Sequence, residues 1–114
     1  DAWRAADTGQ RTAIADAVGR LLASLASADA VHADLNAKNI VIAWAADVPT
    51  AWVLDVDRVS FARHAGAAAI ARNAARLARS LERWRREREL PFRDTDWARV
   101  LTAARDAGPA GAAP

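Results

Sequence analysis

The chain contains no cysteine, which excludes disulfide frameworks and thiolate metal sites and fits a cytosolic setting. No apolar run approaches the roughly 18 residues that a membrane-spanning helix requires, and no signal peptide opens the sequence. No initiator methionine precedes Asp1-Ala2-Trp3-Arg4, so the sequence reads as a piece of a longer protein. Lysine is almost absent: of 16 basic residues only Lys38 is not arginine. The high isoelectric point, about 10.3 at a net charge of +2, therefore reflects guanidinium groups that never deprotonate, and it does not indicate a nucleic-acid partner. Glycine and proline are sparse, and 53% of the 114 residues are hydrophobic, a composition that argues for a folded core and against disorder. Alanine supplies much of that fraction but buries little area per side chain, so the core must rest on Leu, Ile, Val and the five Trp. A chain of this size buries about 60–70% of its unfolded surface, and part of its natural core is expected to belong to a neighbouring segment.

Residues 1–9 show no clear period and end in Asp7-Thr8-Gly9, a helix-capping cluster. From Gln10 to Ser27 the apolar residues Ile14, Val18, Leu21, Leu22 and Leu25 recur on one helical face, with Gly19 inside the helix at a position that implies close packing against another element. After a break at Ser27-Ala28-Asp29 come the short run Ala30-Val31-His32 and a polar segment, Asp34 to Asn39. The β-branched run Ile40-Val41-Ile42 predicts a buried strand, Asp47-Val48-Pro49-Thr50 a turn, and Ala51 to Leu54 the returning strand of a hairpin. A helix is predicted from about Ala67 to Glu89, with Ile70, Ala74, Leu77, Leu81 and Trp84 on its apolar stripe, and Pro91 ends it. A last helix begins at Asp94 or Thr95, whose side chains can cap it, and presents Trp97, Val100, Leu101 and Ala104. Gly108-Pro109 stops it. Trp44, Trp52, Trp84 and Trp97 lie on apolar stripes and are expected in the core. Residues 1–108 are expected to form one partial domain, and residues 109–114 a flexible tail.

Two polar clusters adjoin the hairpin without any packing reason: His32, Asp34, Asn36 and Asn39 before it, Asp55 and Asp57 after it. His32-x-Asp34-Leu35-x-x-x-Asn39 matches the H-x-D-L-x-x-x-N pattern of a kinase catalytic loop, except that Ala33 stands where Arg is usual. In that pattern a hairpin and a metal-holding Asp follow, and Leu54-Asp55 occupies the corresponding place. The residue types suit phosphoryl transfer, which is mostly positioning and charge neutralisation. A carboxylate, Asp34, would orient the attacking hydroxyl and accept its proton, and the oxygens of Asn39 and Asp55 would hold a hard cation such as Mg²⁺. Asn36 and Lys38 join Asn39 and Asp55 as the expected ATP-contacting set, with loop-building the competing role for Asn36 and a plainly solvated side chain the competing reading of Lys38. His32 is expected to pack and hydrogen-bond and not to react. Asp34, Asn39, Asp55 and Asp57 could instead be turn formers or strand-end caps.

His32-Ala33-Asp34-Leu35-Asn36-Ala37-Lys38-Asn39-Ile40 and Val53-Leu54-Asp55-Val56-Asp57-Arg58 resemble the H-x-D-L-N-x-x-N-I-L and L-I-D-F-D-[RK] patterns of the 3-deoxy-D-manno-octulosonic acid (Kdo) kinase group of lipopolysaccharide core kinases. Asn73-x-x-Arg76-Leu77-x-Arg79-Ser80-Leu81 resembles a helix of the same family. The resemblance implies an α+β fold, the C-terminal lobe of a protein-kinase-like architecture, mainly helical with a small β-hairpin beside the catalytic loop. It also implies ATP- and Mg²⁺-dependent phosphorylation of a lipid-linked Kdo hydroxyl at the cytoplasmic face of a Gram-negative inner membrane. By the same resemblance Asp34 is the catalytic base, and Asn39 and Asp55 are the metal ligands. Val56 departs from the usual Phe, and Val59 stands where a small residue is common. Neither a Gly-rich phosphate loop nor a strand Lys with its helix Glu partner precedes His32, so the chain alone is expected not to catalyse. Three other readings remain open: a small-molecule phosphotransferase of the aminoglycoside or choline type, a catalytically dead kinase-like binding module, and a metal-dependent hydrolase using His32, Asp34, Asp55 and Asp57. The run Arg83 to Arg88 could touch an anionic membrane, but the interspersed Glu82, Glu87 and Glu89 fit a solvated helix face better.

Overall fold

A short helix α1 (Ala2–Ala5) leads into α2 (Thr8–Ser27), and the boundary between them is set by reciprocal capping. The Asp7 carboxylate accepts from the Gln10 backbone N–H at 2.8 Å, and the Gln10 side-chain oxygen accepts from the Asp7 N–H, also at 2.8 Å. The strands are β1 (Ala30–His32), β2 (Ile40–Ala45), β3 (Val48–Val53) and β4 (Val59–Phe61), and the helices α3 (Gly66–Arg88) and α4 (Asp94–Ala107) complete the chain. The computed structural model describes residues 2–27, 30–32, 35–54, 59–61 and 66–107, with the side chains of residues 31–32, 59–61 and 66–69 left aside. The expected stop at Gly108-Pro109 and the tail lie outside the described residues.

Helix α2 is the hub, in contact with α4, α3, β1 and β3. Its inner face buries Ile14, Ala15 and Leu22 in a core shared with Ala74 and Leu77 of α3 and Val100 and Ala104 of α4. A Cβ built on Gly19 would lie 2.5 Å from the Cβ of Ala103 and 2.6 Å from the Val100 carbonyl oxygen, so α4 crosses α2 at a point where only glycine fits. Beside this crossing, the Arg99 guanidinium of α4 donates to both carboxylate oxygens of Asp16 in α2, at 2.8 and 3.0 Å. That hydrogen bonding holds the Asp16 carboxyl below its ordinary value, against the opposing effect of partial burial.

The described strands form two antiparallel pairs, β1 with β4 and β2 with β3. The hairpin differs from the sequence expectation. Ala45 pairs with Val48, so the turn is the two-residue Ala46-Asp47, and Pro49 stands inside β3 opposite Trp44. In a hairpin closed at Ala45 and Val48 the next pair is a non-hydrogen-bonded one, and the missing N–H of Pro49 costs the ladder nothing. Ala46 meets the demands of the tight turn by adopting a φ of 54°. Two of the tryptophans expected in the core are also corrected. Pro49 and Ala51 of β3 face inward, so Trp52 falls on the outer face at 59% exposure, and Trp44, one pair from the turn, is 41% exposed. The buried tryptophan is Trp3, which packs its ring 4.7 Å from that of Phe92 and donates its indole N–H to the Pro91 carbonyl.

The cap of α4 also departs from expectation. Asp96 reaches back to accept from the Arg93 N–H at 2.8 Å, while Asp94 pairs with Arg85 of α3 at 2.9 Å. The Arg85–Asp94 hydrogen bond raises the guanidinium's already high pKa. Arg88 stacks over Trp84 at 4.6 Å. The basic end of α3 is thus partly engaged within the fold.

Two tests follow from the crossing of α2 and α4. Gly19→Ala, which in a free helix would add about 1 kcal/mol of helix propensity, is expected to destabilise the fold by about 1–3 kcal/mol in chemical denaturation, because the added methyl forces the helices apart. Asp16→Asn is expected to lower the melting temperature most near neutral pH. Because the folded-state carboxyl is held below its unfolded value, the contribution of Asp16 is present above pH about 4 and lost below it, so the two melting curves converge in acid.

Candidate functional site

The candidate site is built on the segment that leaves β1 and enters β2. Leu35 is 1% exposed and anchors this segment in the core. Asn36 follows with extended backbone and caps a single 3₁₀ turn, Ala37–Asn39, by accepting the Lys38 N–H at 3.0 Å on its side-chain oxygen. The Asn36 carbonyl takes the Asn39 N–H at 3.0 Å, and the Ile40 N–H returns to the Ala37 carbonyl. One N–H of the turn remains, that of Ala37, and it donates to the Ser80 hydroxyl of α3 at 2.8 Å. Asn39 is therefore held at the last position of a turn whose backbone donors are all engaged, and it is buried at 9% exposure. Lys38 is exposed.

Asn39 also connects this turn to the far strand. The Leu54 N–H donates to the Asn39 carbonyl at 2.7 Å, one step beyond the Ile40–Val53 pair. On the other side of the site, His32 of β1 lies opposite Val59 of β4. The flanks of the two motif segments are thus paired at both ends: Asn39 with Leu54, and His32 with Val59. Asp34, Asp55 and Asp57, together with the side chain of His32, lie outside the described residues. Among the described residues no group of three His, Asp or Glu side chains is placed to hold a metal ion.

Helix α3 supplies two polar side chains that the sequence reading quoted in a motif but gave no role. Asn73, fully buried, donates from its side-chain amide to the Ala30 carbonyl at 3.0 Å, and Ser80, 6% exposed, takes the Ala37 N–H. The signal available beforehand was their position. They are seven residues apart, two turns of helix, beside the buried Ala74 and Leu77. No buried side-chain nitrogen or oxygen among the described residues lacks a hydrogen-bond partner.

Between the 3₁₀ turn and the helices lies a cavity of about 300 Å³, walled by Trp3, Ile14, Val18, Ile42 and Trp84 among others, with Lys38 as the one charged residue of its lining among the described residues. On the opposite side, Val41, Trp52 and Leu54 leave an exposed apolar strip next to Asn39.

A long helix, a capped loop entering a two-stranded hairpin, and two further helices, mainly helical with small antiparallel strand pairs, make up the α+β C-terminal lobe of a kinase-like fold. Comparison with known proteins defines the family within that class. The model of the lipopolysaccharide kinase (Kdo/WaaP) family matches residues 1–103, and the chain belongs to that family. Two curated relatives from Haemophilus influenzae, strains 86-028NP and PittGG, are each named 3-deoxy-D-manno-octulosonic acid kinase and are each 34% identical over 87 residues. The match covers 76% of this chain but 35% of each relative, so the chain spans about a third of their length.

Leu35 anchors the loop, and its removal tests that anchorage. Leu35→Ala is expected to cost about 2–5 kcal/mol, read as a lower denaturation midpoint with an unchanged slope.

Proposed function

We propose that this chain is the C-terminal lobe of an ATP-dependent kinase that phosphorylates a hydroxyl of a lipid-linked Kdo sugar in the lipopolysaccharide inner core. The observation that carries the reading is the 2.7 Å bond between the Leu54 N–H and the Asn39 carbonyl, which joins the end of the H-x-D-L-x-x-x-N segment to the residue immediately before Asp55. Family membership and the names of the two relatives support the choice of reaction and acceptor.

In this reading Asp34 accepts the proton of the attacking hydroxyl and fixes its direction, the role that a carboxylate in this motif position suits. Asn39 and Asp55 would hold Mg²⁺, a cation that prefers a few protein oxygens alongside phosphate oxygens, and the bound ion would neutralise charge on the transferring phosphoryl group. Asn36 caps the turn that presents Asn39, and the exposed ammonium of Lys38 is available to phosphate oxygens. The apolar strip of Val41, Trp52 and Leu54 offers a dry surface for the nucleotide base beside the metal ligands. The phosphate clamp is assigned to the part of the protein that the relatives possess beyond the matched segment. No described helix is long and apolar enough to cross a membrane, and the lobe is proposed to meet its lipid-linked acceptor peripherally, at the cytoplasmic face of the inner membrane.

The test is a kinase assay on the full-length protein with ATP, Mg²⁺ and a Kdo-bearing lipid A precursor. Asp34→Ala is expected to lower turnover by about 10²–10⁴-fold or more while the protein remains folded. Undiminished turnover in that variant overturns the assignment of Asp34. Phosphorylation of an aminoglycoside or choline in preference to the Kdo lipid overturns the acceptor, and ATP binding without turnover in the wild type would make the protein a binding module.

A further inference from the structure

We infer that Ser80 of α3 is a positioning residue for the catalytic loop, setting the place of Asn39 through the backbone without touching substrate, on the same helix from which Asn73 holds β1 at Ala30. The inference rests on the kinase reading for its activity arm only. Its basis is the backbone of the loop itself. The anchored stretch starts in β1, which is paired with β4, and ends in the 3₁₀ turn that enters β2, a turn whose amides no strand partner takes up. Asn36 satisfies the Lys38 and Asn39 amides within the loop. Among the described residues, two further anchor points go to one helix: the Ala30 carbonyl in β1 to Asn73 at 3.0 Å, and the Ala37 N–H at the start of the 3₁₀ turn to Ser80 at 2.8 Å. Ala30 and Ala37 are seven residues apart, as are Asn73 and Ser80. The two contacts on α3 lie about 10 Å apart along the helix, the rise of seven helical residues, and fix Ala30 and Ala37 to one rigid element.

The location of the two side chains argues for a role beyond stability. Asn73 is fully buried and Ser80 nearly so, on a helix face whose other positions, Ala74 and Leu77, are apolar. An alanine or valine would fill the space at Ser80 but leave the part-buried Ala37 N–H without that partner, a stability cost confined to the start of the turn. A displacement of a catalytic group by about 1 Å, in contrast, can lower turnover roughly 100-fold, and groups that orient a metal ligand commonly alter metal affinity by about 10- to 100-fold. Asn39 stands two residues from Ala37 in the same turn, so loss of the Ser80 hydroxyl frees the start of the turn that presents it.

Ser80→Thr and Ser80→Val separate hydroxyl from shape, since the two introduced side chains have the same outline and differ by one oxygen; Ser80→Ala serves as a smaller cut should the branched residues fold poorly. In the full-length protein Ser80→Val is expected to lower kcat by about 10- to 100-fold with little change in the KM for ATP, and to weaken Mn²⁺ binding, titrated in the presence of ADP, by about 10-fold. Ser80→Thr is expected to stay within about 3-fold of wild type on both measures. Amide hydrogen exchange at Ala37 should accelerate in Ser80→Val and Ser80→Ala but not in Ser80→Thr. Equal Mn²⁺ affinity and equal Ala37 protection in the Thr and Val variants overturn the inference. A wild-type protein that fails to phosphorylate any tested acceptor counts against the proposed reaction, while the Ala37 exchange still decides whether Ser80 holds the turn.

Discussion

The approach of α4 to α2 at Gly19 is the constraint on which the lobe depends. Helix α2 touches every other major layer, and its distance from α4 is set by a missing Cβ against the Val100 carbonyl and the Ala103 methyl. A wider crossing would open the core around Leu22, Val100 and Ala104, and through it the seat of Leu35, which shares the same cluster. The bidentate Arg99–Asp16 pair sits at the edge of that crossing and fixes its rotation more than its strength, as expected of an exposed ion pair. The helices thus form a platform, and the site lies on the backbone that crosses it.

Most of that platform was legible in the sequence. The apolar faces of α2, α3 and α4 are legible because a buried face leaves a strong mark on composition, and α3 ends at Arg88, just before Pro91. The hairpin was legible as two strands but not in its turn. Asp47-Val48-Pro49-Thr50 is a strong local turn signal, yet pairing of Trp44 with Pro49 places the proline where no ladder bond is required, and the register prevails over the local preference. Strand β4 went unread because three residues, Val59 to Phe61, carry no period of their own and are strands only by virtue of β1, some thirty positions earlier. Trp52 was misplaced by a rule that assigns large apolar residues to the core regardless of which strand face they occupy, whereas Trp44, opposite the inward-facing Pro49, is exposed one pair from the turn.

The site shows a similar division. Asp34, Asn39 and Asp55 are proposed from residue type and spacing, and the segments that carry them lie within the residues that the family model matches. Asn36 was read both as loop builder and as nucleotide contact, and the described geometry supplies a direct observation for the former. What sequence could not disclose was the reason for Asn73 and Ser80. Their partners are backbone atoms 43 positions away, and a backbone atom has no residue type to recognise.

The two-residue turn at Ala46-Asp47 carries a consequence for how the site is measured out along the chain. Successive residues of a strand alternate faces, so β2 and β3 act as a ruler that starts at the turn and is read at the other end, where Leu54 meets Asn39. A one-residue slip of register at the tip would put Val53 in the place of Leu54 opposite Asn39 and exchange the two faces of β3. The register chosen at the turn is thereby read out at the opposite end of the hairpin, where Asn39 stands.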